Sequence, residues 1–239
     1  LDSGANVDEK HDGTTTPLFV ASHNGFTEVV SSLVKRGRAN VNLRCGKHKT
    51  TPLGIATRQS YLDVIEILLK AGADISEADD DGATPLHIAA ENGDYDIVNT
   101  LLKYDRKHGC VNQMKNKGAS ALYVAAQNGH DEICRKLLAV GADVDMSRDD
   151  GCSPLYIAAK NGHVETIKVL VKAHARIEQS SDKINPLYVA AQNGFKEVVR
   201  ILLDCVETYH HDDDDMDVLP HSTLPPGMQR RARRGRRQR

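Results

Sequence analysis

Several groups of side chains in this 239-residue sequence are of types that carry chemistry. His210 and His211 run into four aspartates at 212–215, a set of nitrogen and oxygen donors suited to a divalent ion. Seven arginines crowd residues 230–239, where guanidinium groups pair with phosphates or with acidic protein grooves. His87, inside the stretch TPLHIAA, has the side chain of a general base. Cys45, Cys110, Cys134, Cys152 and Cys205 are odd in number and scattered, without the paired spacing of a zinc site or a disulfide framework.

Each group meets a plainer account. The His–Asp run offers little preorganisation for a metal and reads as a solvated charge run. His87 stands three residues after Thr84 and is expected to hydrogen-bond there. The cysteines read as buried or half-buried fillers in a reducing compartment. The sequence has no phosphate-binding glycine loop, nucleophile elbow or zinc motif. The expectation is a noncatalytic chain without cofactor or metal.

The elements that carry these residues are repeated. TPLHIAAENG, residues 84–93, returns as TPLFVASHNG from Thr16, TPLGIATRQS from Thr51, SALYVAAQNG from Ser120, SPLYIAAKNG from Ser153 and NPLYVAAQNG from Asn185. A recurrence of roughly 33 residues predicts a solenoid, which buries its apolar faces between neighbouring units. In Thr84-Pro85-Leu86 the hydroxyl caps a helix, and the proline gives up an amide that would have no partner there. Gly93 can close that helix in the left-handed conformation, with Asn92 before it read as part of the cap. A second helix follows with Ile97, Val98, Leu101 and Leu102 at helical spacing.

At these residues the chain resembles the ankyrin-repeat family. The match is fullest from Gly82 through TPLHIAA, preceded by Gly72-Ala73-Asp74-Ile75, and the resemblance covers about residues 1–206. It implies an all-α, ankyrin-repeat solenoid of stacked helix-turn-helix pairs with projecting β-hairpin loops. Residues 1–8 read as the end of a truncated preceding repeat. Six units follow at about 9–40, 41–74, 75–109, 110–143, 144–176 and 177–206, and then an acidic-then-basic, disordered tail at 207–239. Leu1 in place of methionine suggests a piece of a longer protein, with neither end carrying a polar closing repeat.

Departures from the pattern are informative. Ser60 takes the place of a turn glycine, which leaves that turn either built differently or strained. Tyr123, Tyr156 and Tyr188 replace the family's histidine, as gap fillers or as a ladder facing a ligand; the first reading is preferred, since an in-phase residue usually serves the repeat. His174-Ala175-Arg176 stands where a glycine return belongs.

The residue before the recurring asparagine does not recur: His23, Arg58, Glu91, Gln127, Lys160 and Gln192. The resemblance places these on the concave face, with hairpin tips at Asp80, Asp81, Asn116, Lys117, Asp149, Asp150, Asp182 and Lys183. This set is the expected binding surface for a protein partner. Composition agrees, with a formal charge of -2, 4% aromatic residues and no apolar run of about 18 to 20 residues that would span a bilayer. No secretory leader is visible, so the expected location is cytoplasmic, or nuclear through residues 230–239. Nucleic acid is a candidate for the tail alone. The alternative functions are a regulatory segment of a larger enzyme or channel, or a nuclear adaptor.

Overall fold

The computed structural model describes residues 6–11, 13–105, 109–177 and 185–215, with 206–215 as helical backbone alone. Twelve α-helices lie among them, paired in chain order. The first helices of the pairs are α1 (Pro17–His23), α3 (Pro52–Arg58), α5 (Pro85–Asn92), α7 (Ala121–Asn128), α9 (Pro154–Asn161) and α11 (Pro186–Gln192). The second helices are α2 (Thr27–Lys35), α4 (Leu62–Lys70), α6 (Tyr95–Tyr104), α8 (Asp131–Ala139), α10 (Val164–Lys172) and α12 (Lys196–Asp215).

Each first helix starts where its cap residue dictates. Thr16 Oγ1 accepts from the Phe19 amide at 3.2 Å, Thr51 Oγ1 from Gly54 at 3.1 Å, and Ser153 Oγ from Tyr156 at 3.2 Å. Ser120 does the same for Tyr123 at 3.2 Å, so losing the proline at Ala121 leaves the helix start in place. The helices end on left-handed residues at Gly25, Gly93, Gly129, Gly162 and Gly194. Ser60 adopts φ +59 at the same place, so the turn keeps its geometry and the serine carries the strain. His174, at φ +61, stands in for the return glycine, and the Ala175 amide still reaches the Leu170 carbonyl as Ala73 reaches Leu68.

First helices pack on first helices, α1 on α3 through to α9 on α11, and second helices on second helices. Ala89, Ala90, Ala125, Ala126, Ala158 and Ala159 are fully buried and keep the inner row thin. Three of the described hairpins close on a single bridge, His11 with Thr15, Cys45 with Thr50 and Met114 with Ser120, while in two others Asp79 donates its amide to the Ala83 carbonyl and Arg148 to the Cys152 carbonyl, both at 3.0 Å. Successive hairpins exchange one backbone bond. Gly46 donates to Thr14 (3.0 Å), Asp80 to His48 (3.0 Å), Asn116 to Asp81 (2.9 Å) and Asp149 to Lys117 (3.1 Å).

The return loops are tied in a parallel way by side chains of the preceding unit. Asp8 accepts from the Asn40 amide, Asn42 from Asp74, Asn112 from Asp143 and Asp145 from Arg176, each at 2.8 to 3.0 Å. In the third unit, where the glycine return is missing, the Asp105 carboxylate accepts from the amides of Gly109 at 3.1 Å and Cys110 at 2.9 Å. The last helix continues past the expected end of the repeat at 206, reaching Asp215. No glycine or proline follows Leu203 until Pro220, so nothing in the local chemistry stops it sooner. The basic segment 230–239 lies outside the described residues. Among the described residues, no helix is long and apolar enough to cross a membrane.

Candidate functional site

The expected surface residues lie at the ends of the first helices and on the hairpins. His23, Arg58, Glu91, Gln127, Lys160 and Gln192 are all exposed, as are Asp80, Asp81, Asn116, Lys117, Asp149 and Asp150 at the hairpin tips; Asp182 and Lys183 lie outside the described residues. Contacts between neighbours join the two sets. Arg58 reaches Asp79 of the next hairpin at 3.0 Å, and Glu91 reaches Lys115 of the one after at 3.7 Å. Arg44 bridges to Asp80 at 3.1 Å from one hairpin to the next.

Arg58 departs from the picture of a spare surface charge. The Asp79 side chain that it neutralises is 1% exposed and also accepts from the amides of Asp81 and Ala83. Replacing Arg58 would strand a buried carboxylate, so this residue belongs to the scaffold as well as to the surface. Lys117 and Lys160 are exposed as well.

The three tyrosines divide. Tyr123 is buried under the next hairpin, with the Arg148 guanidinium 5.5 Å above its ring and donating to its hydroxyl at 3.4 Å. Burial pushes the phenol upward from its ordinary range, and the hydrogen bond from Arg148 opposes that. Tyr156 is half-buried, and Tyr188 stands open. The gap-filling role thus holds for Tyr123 and weakens along the row.

His87 is fully buried and spans a joint between units. Its Nε2–H donates to the Ala119 carbonyl at 3.1 Å, which leaves Nδ1 to accept from the Thr84 hydroxyl at 2.8 Å. Burial holds its pKa down at about 4; the Ala119 bond pulls the other way, and Lys115 lowers it further. An imidazole enclosed in this way serves the fold. Three of the cysteines are likewise held as thiols, with Cys134 pushed up to about 12 and Cys110 and Cys152 to about 11, chiefly by burial. Among the described residues no group of three His, Cys, Asp or Glu side chains could hold a metal, and the side chains of His210, His211 and the aspartates at 212–215 lie outside them.

A recurring joint was missed in reading the repeats. The residue after the left-handed turn position lays its ring over the glycine of the preceding unit: Tyr61 over Gly25, His130 over Gly93, His163 over Gly129 and Phe195 over Gly162. A Cβ on any of these glycines would stand 2.6 to 2.9 Å from the ring, so glycine is required there by the neighbour as well as by φ. The one glycine replaced, Ser60, meets no ring. Asp94 occupies the ring's place and accepts a hydrogen bond from Ser60 Oγ. Reading the column Phe26, Tyr61, Asp94, His130, His163, Phe195 against the glycine column would have revealed this pairing. The asparagine column also does more than cap. Asn92, Asn161 and Asn193 donate to carbonyls of the preceding unit, while Asn24 and Asn128 bond within their own helix.

The pairing gives a quantitative expectation. Asp94→His alone removes the acceptor and drives a ring against Ser60, and it should destabilise the chain by roughly 1 to 2 kcal/mol. Ser60→Gly together with Asp94→His recreates the common joint and relieves the left-handed serine, and should exceed the parent by about 1 kcal/mol. Urea unfolding of both single variants and the double would decide it; strictly additive effects would show that the two positions are not coupled.

A family model described as ankyrin repeats (3 copies) matches residues 1–79, 75–148 and 136–215, and so spans nearly all of the array. No curated protein matches the chain.

Proposed function

From a chain that belongs to the ankyrin-repeat family, with its surface variation gathered at one edge of each unit, we propose a noncatalytic interaction module that binds a protein partner on its concave face. The supporting observation is the row of exposed, non-recurring side chains at the ends of the inner helices, beside the exposed hairpin tips. The backbone bonds between hairpins hold these side chains at a fixed spacing, so little ordering entropy remains to be lost on binding. The row is mixed in sign, with Asp81, Glu91, Asp149 and Asp150 beside Lys117 and Lys160. It suits a partner segment of alternating charge, for which such contacts set register and discourage wrong pairings.

The test uses Lys117→Glu with Lys160→Glu. Neither lysine is buried, so each change should alter stability by less than about 0.5 kcal/mol. Affinity for a protein recovered from cell extract by the parent chain should fall at least about tenfold, since a like charge opposed to a partner's acid is costly. A double variant that binds every recovered partner as the parent does would move recognition to the outer helices or the segment beyond Asp215.

A further inference from the structure

Five asparagines stand directly before a glycine, Asn24, Asn92, Asn128, Asn161 and Asn193, and all five lie at the turn that ends a first helix. Three of them, Asn92, Asn128 and Asn161, belong to units with a described neighbour on both sides, and all three are exposed. The glycine amide after each closes a helix of eight residues with loosely made bonds. Gly93 reaches the Ala89 carbonyl at 3.2 Å, while Gly129 divides its N–H between Ala125 and Ala126, and Gly162 between Ala158 and Ala159. Helix ends of this kind open locally more readily than a packed middle.

Once such an end opens, the glycine nitrogen, unhindered by a Cβ, can attack Cγ of the asparagine before it. The new N–Cγ bond closes a five-membered imide, the Cγ–Nδ2 bond breaks, and Nδ2 leaves as ammonia carrying the proton that the glycine gives up. Water then opens the ring at either carbonyl, leaving aspartate or isoaspartate. Water is the sole co-reactant, and nothing is oxidised or reduced. We propose that Asn92 and Asn161 deamidate in this way, and that their conversion loosens the joints between units two and three and between units four and five.

The loosening follows from what Nδ2 does at each place. Asn161 Nδ2 donates to the Gln127 carbonyl of the preceding unit at 2.8 Å, a carbonyl that also accepts from His163 Nε2 at 2.9 Å. Asn92 Nδ2 lies 3.2 to 3.5 Å from four oxygens, the Thr57 and Arg58 carbonyls, Ser60 Oγ and Asp94 Oδ2, and Ser60 gives its own proton to Asp94. A carboxylate in place of either amide has no proton for these acceptors and, at Asn92, stands beside a second carboxylate. Asn128 donates within its own helix, to Val124 at 3.1 Å, so the same chemistry there removes no bond between units. This inference is independent of what the concave face binds.

The test keeps the full chain for weeks in mildly alkaline buffer, beside the same chain in urea as the unprotected reference, and maps both by mass spectrometry after digestion. The folded sample should gain the mass of one deamidation in the peptides holding Asn92 and Asn161, more slowly than the sample in urea. Hydrogen exchange then reads the joints. Asn92→Asp and Asn161→Asp should each speed exchange in the two units they connect by about tenfold, and Asn128→Asp by less than about threefold. Asn161→Asp leaves Gln127 its bond from His163 and is the milder change, so it carries the test should Asn92→Asp fold poorly. A folded sample unchanged at both sites while the urea sample converts, aspartate variants that exchange like the parent, or an Asn128→Asp chain as labile as the other two would each overturn the proposal.

Discussion

Replacing Leu122 by alanine is expected to cost about 2 to 5 kcal/mol of stability, a large share of what holds a domain of this size together. Leu122 is completely buried in α7, and both neighbouring first helices, α5 and α9, lie against its helix. The inner row is already alanine at positions 89, 90, 125, 126, 158 and 159, so it has little side-chain bulk to move into the vacated space. Closing the gap would require whole helices to shift, against hairpins pinned to each other by backbone bonds. The cavity therefore persists and its full cost is felt. Chemical denaturation followed by circular dichroism reads the loss; a change under about 1 kcal/mol would mean that the stack closes around the deletion. Leu203→Ala, at an exposed site, should cost far less.

Acidification gives the second large effect, and its sign follows from His87. In the folded chain burial holds this imidazole neutral down to about pH 4, while the ordinary value is 6.5. Above pH 6.5 neither state carries the proton and stability is complete. Below that pH the unfolded chain gains a proton that the folded chain refuses, so stability falls at about 1.4 kcal/mol per pH unit. The loss approaches about 3 kcal/mol near pH 4 and then levels off as the folded form also becomes protonated. His87→Gln cannot titrate and retains an amide able to donate toward the Ala119 carbonyl. Plotted against pH, its urea midpoints should decline less steeply between 6.5 and 4 than those of the parent. Parallel curves would show that other groups govern the acid response.

The sequence was most legible where a residue acts on its own backbone. Threonine, serine and asparagine caps, first-turn prolines, left-handed glycines and the apolar spacing of the second helices each have a local cause, and the helix pairs follow from them. The joints between units were less legible, because each depends on two residues about 35 positions apart that mean little separately. Asp94 reads as an unremarked surface acid until Ser60 is seen below it. Arg58 belongs to the variable surface column, yet its partner, Asp79, is hidden in the next hairpin. The asparagines suit a cap, and only the stack reveals the neighbouring carbonyls that several of them reach. The length of α12 escaped notice because the apolar pattern ends before the helix does, and a helix lacking a stop residue can run on into polar sequence.

The exchange of glycine and ring for Ser60 and Asp94 means that these units cannot be permuted freely. The arrangement behaves like a row of dominoes, in which the half-tile presented by one piece must match that of the next. Deleting the third piece would set His130 over Ser60, and duplicating it would put Asp94 over Gly93, a glycine with no hydroxyl to offer. The order of units is thereby written into their edges, separately from the non-recurring side chains at the ends of the first helices. Recombination of such arrays, in a genome or in a designed library, can exchange surface residues that have no partner in the next unit, but it must carry Arg58 with Asp79 and Ser60 with Asp94 across every crossover.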